Sequence, residues 1–206
     1  MTLDVLGLLA ACSYALDCVE AELVHVTNNH SKRVAYMSVC IAKQMGIQEE
    51  SLQDLAVCAL LHDNALTQYI QEELHNDISQ IAVTQEVPKL GAHCIWGEKN
   101  VAELPFHTDV SDVILYHHEN ADGSGPFGKK WDEIPLFSRI IHLCDLLDIA
   151  CRTKKFAEGT WKVAEQFVQN STGTMFDREC RDAFLRAFSE EQFLSLDRET
   201  FEDQLW

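Results

Sequence analysis

Ile134-Pro135-Leu136-Phe137-Ser138-Arg139-Ile140-Ile141-His142-Leu143-Cys144-Asp145-Leu146-Leu147 opens a strongly apolar run that continues to about Ala150. Proline is favoured in the first turn of a helix, so the pattern predicts a helix entered at Ile134-Pro135. Asp145 interrupts the apolar run and is expected to be buried. A buried carboxylate is expensive unless it is paired or bound to a metal. This one stretch therefore predicts a core helix with a buried carboxylate that needs a partner, a nearby arginine or a metal.

The neighbouring segments read the same way. A helix is expected over about Leu3 to Val24, where Leu9, Cys12, Leu16, Val19 and Leu23 step by 3, 4, 3 and 4. A second follows His30, with Val34, Met37, Ile41 and Met45 on one face and Gly46 at its end. A third is expected from about Ser51 to Leu66, with Leu52, Leu55, Ala59 and His62 on one face. Gln68 to Leu90 reads as one or two short helices, and Asp109 to His118 as another carrying Val110, Val113 and His117. Asn120 to Glu133 is the longest evident loop, and two more helices are expected after Ala150. With 206 residues, 9 Gly and 4 Pro, the simplest account is a single all-α domain over 1–206, a helical bundle.

Lys and Arg number 16 against 33 Asp and Glu, a formal charge of -17. Such a surface repels phosphate backbones and anionic lipid, so neither DNA or RNA nor a membrane is the expected partner. No segment reaches the apolar length of a membrane span. The apolar start lacks a basic n-region and carries Asp4, so it is expected to stay in the protein. The 8 cysteines include no C-x-x-C pair and sit mostly in apolar helical stretches. That predicts a reducing cytoplasmic setting, with no disulfide framework and no cysteine-type zinc site.

Four of the 9 histidines stand out with their acidic neighbours: His62-Asp63, His93 and His117-His118. Taken singly, a core histidine is more often structural, and each acid could cap a helix or pair with an arginine. Taken together, His30, His62, Asp63, His93, His117, His118 and Asp145 come from four or five separate helices. A bundle can aim such groups at one point. Imidazoles with carboxylates suit iron, manganese or zinc. Two metals sharing a bridging carboxylate would use the whole set, whereas one zinc with four ligands would leave several idle.

The motifs also carry a resemblance. Asn29-His30-Ser31-Lys32-Arg33-Val34, Leu60-Leu61-His62-Asp63 and His93-Cys94-Ile95-Trp96-Gly97-Glu98 follow in order, then His117-His118-Glu119 with Asp122-Gly123-Ser124-Gly125, then Ile134-Pro135-Leu136-Phe137-Ser138-Arg139-Ile140 with Asp145 and Asp148. Together with Met175-Phe176-Asp177 and Phe184, this set resembles the HD-GYP branch of the HD superfamily of metal-dependent phosphohydrolases, over about residues 9–188. The resemblance implies a five-helix core with added helices and hydrolysis of cyclic di-GMP or a related cyclic dinucleotide. It implies a binuclear or trinuclear centre of divalent iron or manganese, held by His30, His62, Asp63, His93, His117, His118 and Asp145, with Asp63 bridging the metals. Two metals about 3.5–4 Å apart can hold a bridging water and lower its pKa, so a metal-bridged hydroxide would attack phosphorus.

The chain departs from the family pattern near the substrate. Asn64, Ala65 and Leu66 stand where Ile-Gly-Lys is usual, and Gly125-Pro126-Phe127 replaces Gly-Tyr-Pro. Val26 occupies the place of the Glu that trinuclear members use, which favours two ions over three. Arg33, Gly125 and Lys154 are the expected substrate contacts, with Lys154, Lys155 or Arg33 supplying the charge that Leu66 does not. His25, His75, His107 and His142 are read as structural or solvated. Homodimerisation is left open. Two other functions fit the same residues: a phosphohydrolase of another nucleotide or phosphate ester, and a metal- or nucleotide-binding sensor with little turnover. A di-iron oxygenase is a more remote fit to the ligand set.

Overall fold

Asn29 takes a left-handed backbone conformation, φ 63°, and its carbonyl then accepts the first helical hydrogen bond, from Arg33 N. Asparagine tolerates this conformation better than most residues. Helix α1, His30–Gln44, starts at once and ends before Gly46, whose φ of 78° suits glycine. This is a computed structural model, and it describes residues 12–13, 15–16, 18, 29–72, 87–151 and 159–197. Cys12, Ser13, Ala15, Leu16 and Cys18 are helical, and the rest of the helix expected over Leu3–Val24 lies outside the described residues.

The order continues with α2 (Glu49–Leu60), α3 (Leu66–Glu72), α4 (Val87–Val101), α5 (Leu136–Cys151), α6 (Thr160–Ser171), α7 (Arg178–Ala187) and α8 (Glu190–Leu194), then a 3-10 turn at Ser195–Asp197. Extended structure among the described residues is confined to isolated bridges, Asp122 with Lys130 and Thr172 with Phe176. The all-α architecture expected from the sequence is the one observed. Helix α1 is the centre of the bundle and packs against α2, α5 and α7. Val34, Met37 and Ile41 of α1 meet Leu55 and Ala59 of α2, Ile140, Leu143 and Leu147 of α5, and Phe184 in one buried cluster. Among the described residues, no helix is long and apolar enough to cross a membrane.

Three expectations are corrected. Helix α2 stops at Leu60, so His62 and Asp63 lie in the turns at 61–65 and not on a helix. Carbonyls at the end of α2 and just past it are taken by side chains: Ala59 O by the His62 ring (2.8 Å) and Leu61 O, at the C-cap, by the Asn64 amide (2.8 Å). The stretch expected as a helix over Asp109–His118 is a run of turns. There the Glu98 carboxylate accepts the amides of Asp112 (2.7 Å), Ile114 (3.1 Å) and Leu115 (3.0 Å), and Asp112 has φ 66°. Finally, the described residues 159–197 hold three short helices where two were expected after Ala150. Asp177 caps α7, and a Ser189–Gln192 capping box starts α8.

Candidate metal centre

Each expected metal ligand is placed by a different local device. His30 is the first residue of α1, and His93 lies on α4. His62-Asp63 and His117-His118 sit on turns, and Asp145 is two turns from the end of α5. Gly97 lets these pieces close up. A Cβ on it would meet Ile114 at 2.9 Å and Asn64 at 3.1 Å, so a larger residue would push both histidine-bearing turns off α4.

The seven side chains converge. Asp63 is central: its Oδ1 lies 3.2 Å from His93 Nε2 and 3.4 Å from His117 Nε2, and its Oδ2 lies 3.4 Å from His62 Nε2. Asp145 Oδ1 lies 3.4 Å from His30 Nε2, and its Oδ2 lies 3.9 Å from His118 Nδ1. The donor atoms fall into two sets, His30 with His62 and Asp145, and His93 with Cys94, His117 and His118, each within 4.8 Å. Asp63 touches members of both.

The donor set fits metal ions. His62 Nε2, His117 Nε2 and Asp63 Oδ1 are buried with no hydrogen-bond partner. Buried polar atoms are seldom left so, because each costs about 1–3 kcal/mol. Two ligand atoms on one ion, each about 2.0–2.2 Å from it, lie roughly 3.0–3.5 Å apart, which is the spacing seen around Asp63. The tautomers also fit. The other ring nitrogens face carbonyls, His62 Nδ1 to Ala59 O at 2.8 Å and His117 Nδ1 to Ile114 O at 2.6 Å. A ring that donates through Nδ1–H presents a lone pair at Nε2.

The electrostatics separate the imidazoles. Burial holds His62 below the usual imidazole range, and burial with His117 and His93 nearby holds His118 well below it. Burial also opposes the charge on His30, but Asp145 and Asp148 outweigh it and raise the pKa well above the usual range. For His93, burial is outweighed first by Asp63, and the pKa rises to about 9. Burial opposes ionisation of Asp63 as well, yet the His62, His117 and His93 rings hold its carboxyl well below the usual range. Cation binding here therefore has to displace imidazole protons and strengthens as pH rises.

The surroundings hold the ligands in place. Asp148 Oδ2 takes His30 Nδ1 at 2.7 Å, and Asp148 is itself gripped by Arg33 through Nε (2.6 Å) and Nη2 (2.9 Å). The Arg33 side chain, expected at the substrate, is turned into the protein and buried against Asp148. Gly125 is accounted for by packing, since a Cβ would lie 2.7 Å from Glu119 Cα and 2.8 Å from its Oε1. Glu119 is buried and accepts the amides of Phe127 and Lys129, both at 2.6 Å, which fixes the 120–133 loop beside His117-His118. Leu66 packs with Tyr69, Ala92 and Trp96, so an apolar patch stands where the family has a lysine. Lys154, Lys155, Val26, His25 and His75 lie outside the described residues. His142 is buried and meets Asn120 Oδ1 at 3.1 Å, and His107 is exposed.

Two residues of the site were not given roles from the sequence. Asp148 was visible as a second acid in the Asp145 run, but its partner Arg33 is 115 residues away. Cys94, which has no role of its own in the sequence pattern, lies among the histidines. Its position beside His93 was the available signal.

The fold and this centre define a helical HD-type protein. Residues 16–180 match the HD domain family, and the chain belongs to that family, in its HD-GYP branch. It is 28% identical over 166 residues to the cyclic di-GMP phosphodiesterase response regulator RpfG of Xanthomonas campestris, covering 78% of this chain and 43% of that protein. It is 30% identical over 173 residues to the 3′3′-cGAMP-specific phosphodiesterase 3 of Vibrio cholerae, covering 79% of this chain and 35% of that one. Among solved structures, a cyclic GMP-AMP specific phosphodiesterase of Vibrio cholerae superposes with a TM-score of 0.77 at 22% identity, over 97% of this chain and 52% of that one. The chain thus spans less than half the length of these curated relatives.

Proposed function

We propose that the chain is a metal-dependent phosphodiesterase that hydrolyses a cyclic dinucleotide, cyclic di-GMP or a close relative, in bacterial cytoplasmic signalling. The observation that carries the reading is the cluster of buried, unpartnered ligand atoms around Asp63, namely His62 Nε2, His117 Nε2 and Asp63 Oδ1. The names of the relatives support the substrate class. The residues would hold two divalent ions, iron or manganese. His30, His62 and Asp145 would hold one, and His93, His117 and His118 the other, with Asp63 shared. When bound, such ions supply Lewis acidity and a water of lowered pKa.

The chain's own groups do the rest. Ala59 O and Ile114 O engage the Nδ1 atoms of His62 and His117, so both rings turn Nε2 inward. Asp148 fixes the plane of the His30 ring. Burial of His30, His62, His93 and His117 keeps bulk water from competing for these atoms. Glu119 and Glu98 brace the two loops that flank the centre.

Purified protein loaded with Mn²⁺ or Fe²⁺ should linearise cyclic di-GMP or 3′3′-cGAMP, and a chelator should abolish the reaction. Metal-loaded protein that hydrolyses neither these nor a generic phosphodiester would count against the proposal. One observation favours a second reading. The apolar patch at Leu66 removes a cation from the substrate side, which suits another phosphate ester or a sensor with little turnover. Tight nucleotide binding without hydrolysis by the metal-loaded chain would select the sensor.

A further inference from the structure

We propose that Cys94 supplies a thiolate to the metal position formed by His93, His117 and His118, making it a mixed sulfur–nitrogen site that favours ferrous iron or zinc over manganese. The inference rests on the metal-dependent reading above and specifies one donor of that centre.

Cys94 is fully buried, but not in the apolar core. Cys58, Cys144, Cys151 and Cys180 all belong to the main hydrophobic cluster, and Cys94 does not. Its sulfur lies within 4.8 Å of the ligand atoms of His93, His117 and His118. The distance from Sγ to His93 Nε2 is 3.7 Å. A sulfur at about 2.3 Å and a nitrogen at about 2.0–2.1 Å from one tetrahedral ion lie roughly 3.6 Å apart. The separation therefore fits two ligands of one ion.

A second observation points to the same place. His117 Nε2 is fully buried and unpartnered, while its Nδ1 is spent on Ile114 O at 2.6 Å. It belongs to the set of possible ligand atoms that contains the sulfur. Among the described residues, the opposite position, His30 with His62 and Asp145, has only nitrogen and oxygen donors. Thiolate is a soft ligand and suits zinc and iron, whereas carboxylate and water suit manganese and magnesium. The two positions are thus chemically unequal. On binding, the S–H bond of Cys94 breaks, the electron pair goes to the ion, and the proton leaves to solvent.

The test is spectroscopic and independent of turnover. The chain is loaded with Co²⁺ for optical spectra and with Zn²⁺ for X-ray absorption. The wild type is expected to show a thiolate-to-cobalt charge-transfer band and a zinc–sulfur shell at about 2.3 Å. Cys94→Ser and Cys94→Ala are expected to lose both while keeping wild-type helical circular dichroism and metal at the other position. A wild-type shell of nitrogen and oxygen alone would overturn the thiolate and leave the metal-dependent reading intact. So would a charge-transfer band that survives in both variants. Failure of the folded wild type to bind cobalt or zinc at all would overturn both. Should the variants not fold, the wild-type zinc spectrum decides alone.

Discussion

Asp148 Oδ2 sits 2.7 Å from His30 Nδ1, and the same carboxylate takes a two-point grip from Arg33 at 2.6 and 2.9 Å. The three residues link the first turn of α1 to the last turn of α5. His30 Nε2 faces Asp145 at 3.4 Å. A carboxylate on one ring nitrogen sets the tautomer and raises the basicity of the other, and losing such a partner typically costs about 10–100-fold in metal affinity.

Asp148→Asn should therefore weaken the metal position at His30 by about that factor, read by competition with a chromophoric chelator. It should also destabilise the metal-free chain. Burial opposes ionisation of Asp148, but Arg33 and His30 outweigh it and lower the pKa to about 2. The folded pKa lies below the unfolded value of about 3.9, so this stability is present above pH 3.9 and is lost as pH falls through 2. The shift corresponds to about 2–3 kcal/mol. Urea melts of wild type and variant should differ at pH 6 and converge toward pH 2.

Asp63→Asn should abolish both metal positions together. Its Oδ1 and Oδ2 reach ligands of both sets, at 3.2 to 3.4 Å. An amide cannot neutralise two cations. Elemental analysis should fall from two ions per chain to well under one, and hydrolysis should vanish with them. Full metal stoichiometry in the variant would show that Asp63 does not bridge.

The all-α class and the convergence of the seven side chains were legible because both rest on local pattern. Apolar periodicity marks α1, α2 and α5, and ionisable residues inside those faces stand out. What was hidden depends on partners far along the chain. The turns at 109–118 carry a helical pattern, and only the Glu98 carboxylate, reaching amides 14 to 17 residues later, diverts them. Arg33 looked available for phosphate because Asp148, 115 residues on, cannot be paired with it by spacing. Cys94 fits an apolar helix stripe as well as a metal site, and composition does not separate the two.

His142 should make the metal-free fold sensitive to mild acid. It is buried, and burial lowers its pKa to about 4. Below about pH 6.5 the unfolded chain takes up a proton that the folded chain refuses. Stability should fall as pH drops from 6.5 to 4, by up to about 3 kcal/mol from this residue. His142→Gln keeps a donor for Asn120 Oδ1 and should remove that part of the slope. The difference in unfolding free energy between the two proteins, measured at pH 7.5, 5.5 and 4.5, checks it. A difference that does not change with pH would rule it out.

Gly125→Ala should be destabilising. The added Cβ would fall 2.7 Å from Glu119 Cα and 2.9 Å from Asn120 N, both backbone atoms that cannot swing aside. Overpacking of this kind costs about 1–3 kcal/mol. Differential scanning calorimetry should show a melting point lower by several degrees. The Glu119 bonds to Phe127 N and Lys129 N should loosen with it, seen as faster amide exchange at those two positions.

Leu66→Lys should raise kcat/KM on cyclic di-GMP. Leu66 is half-buried beside Tyr69, Ala92 and Trp96, on the helix that follows the His62-Asp63 turn. The family pattern places a lysine there, so the geometry of a cation at this position is compatible with the fold. A lysine stem can lie along the apolar patch while its ammonium reaches out of it. The loss of one preorganised charge near a developing anion typically costs on the order of 10²–10³ in rate. The -17 surface adds repulsion toward a substrate that carries two negative charges. Restoring the cation should recover at least about tenfold, with the gain shrinking at high salt. Leu66→Met keeps the patch without the charge and should behave as wild type. An equal gain from Leu66→Met would place the effect in packing, and no gain from Leu66→Lys would mean that another cation already serves the phosphate, with Lys154 the first to replace by alanine.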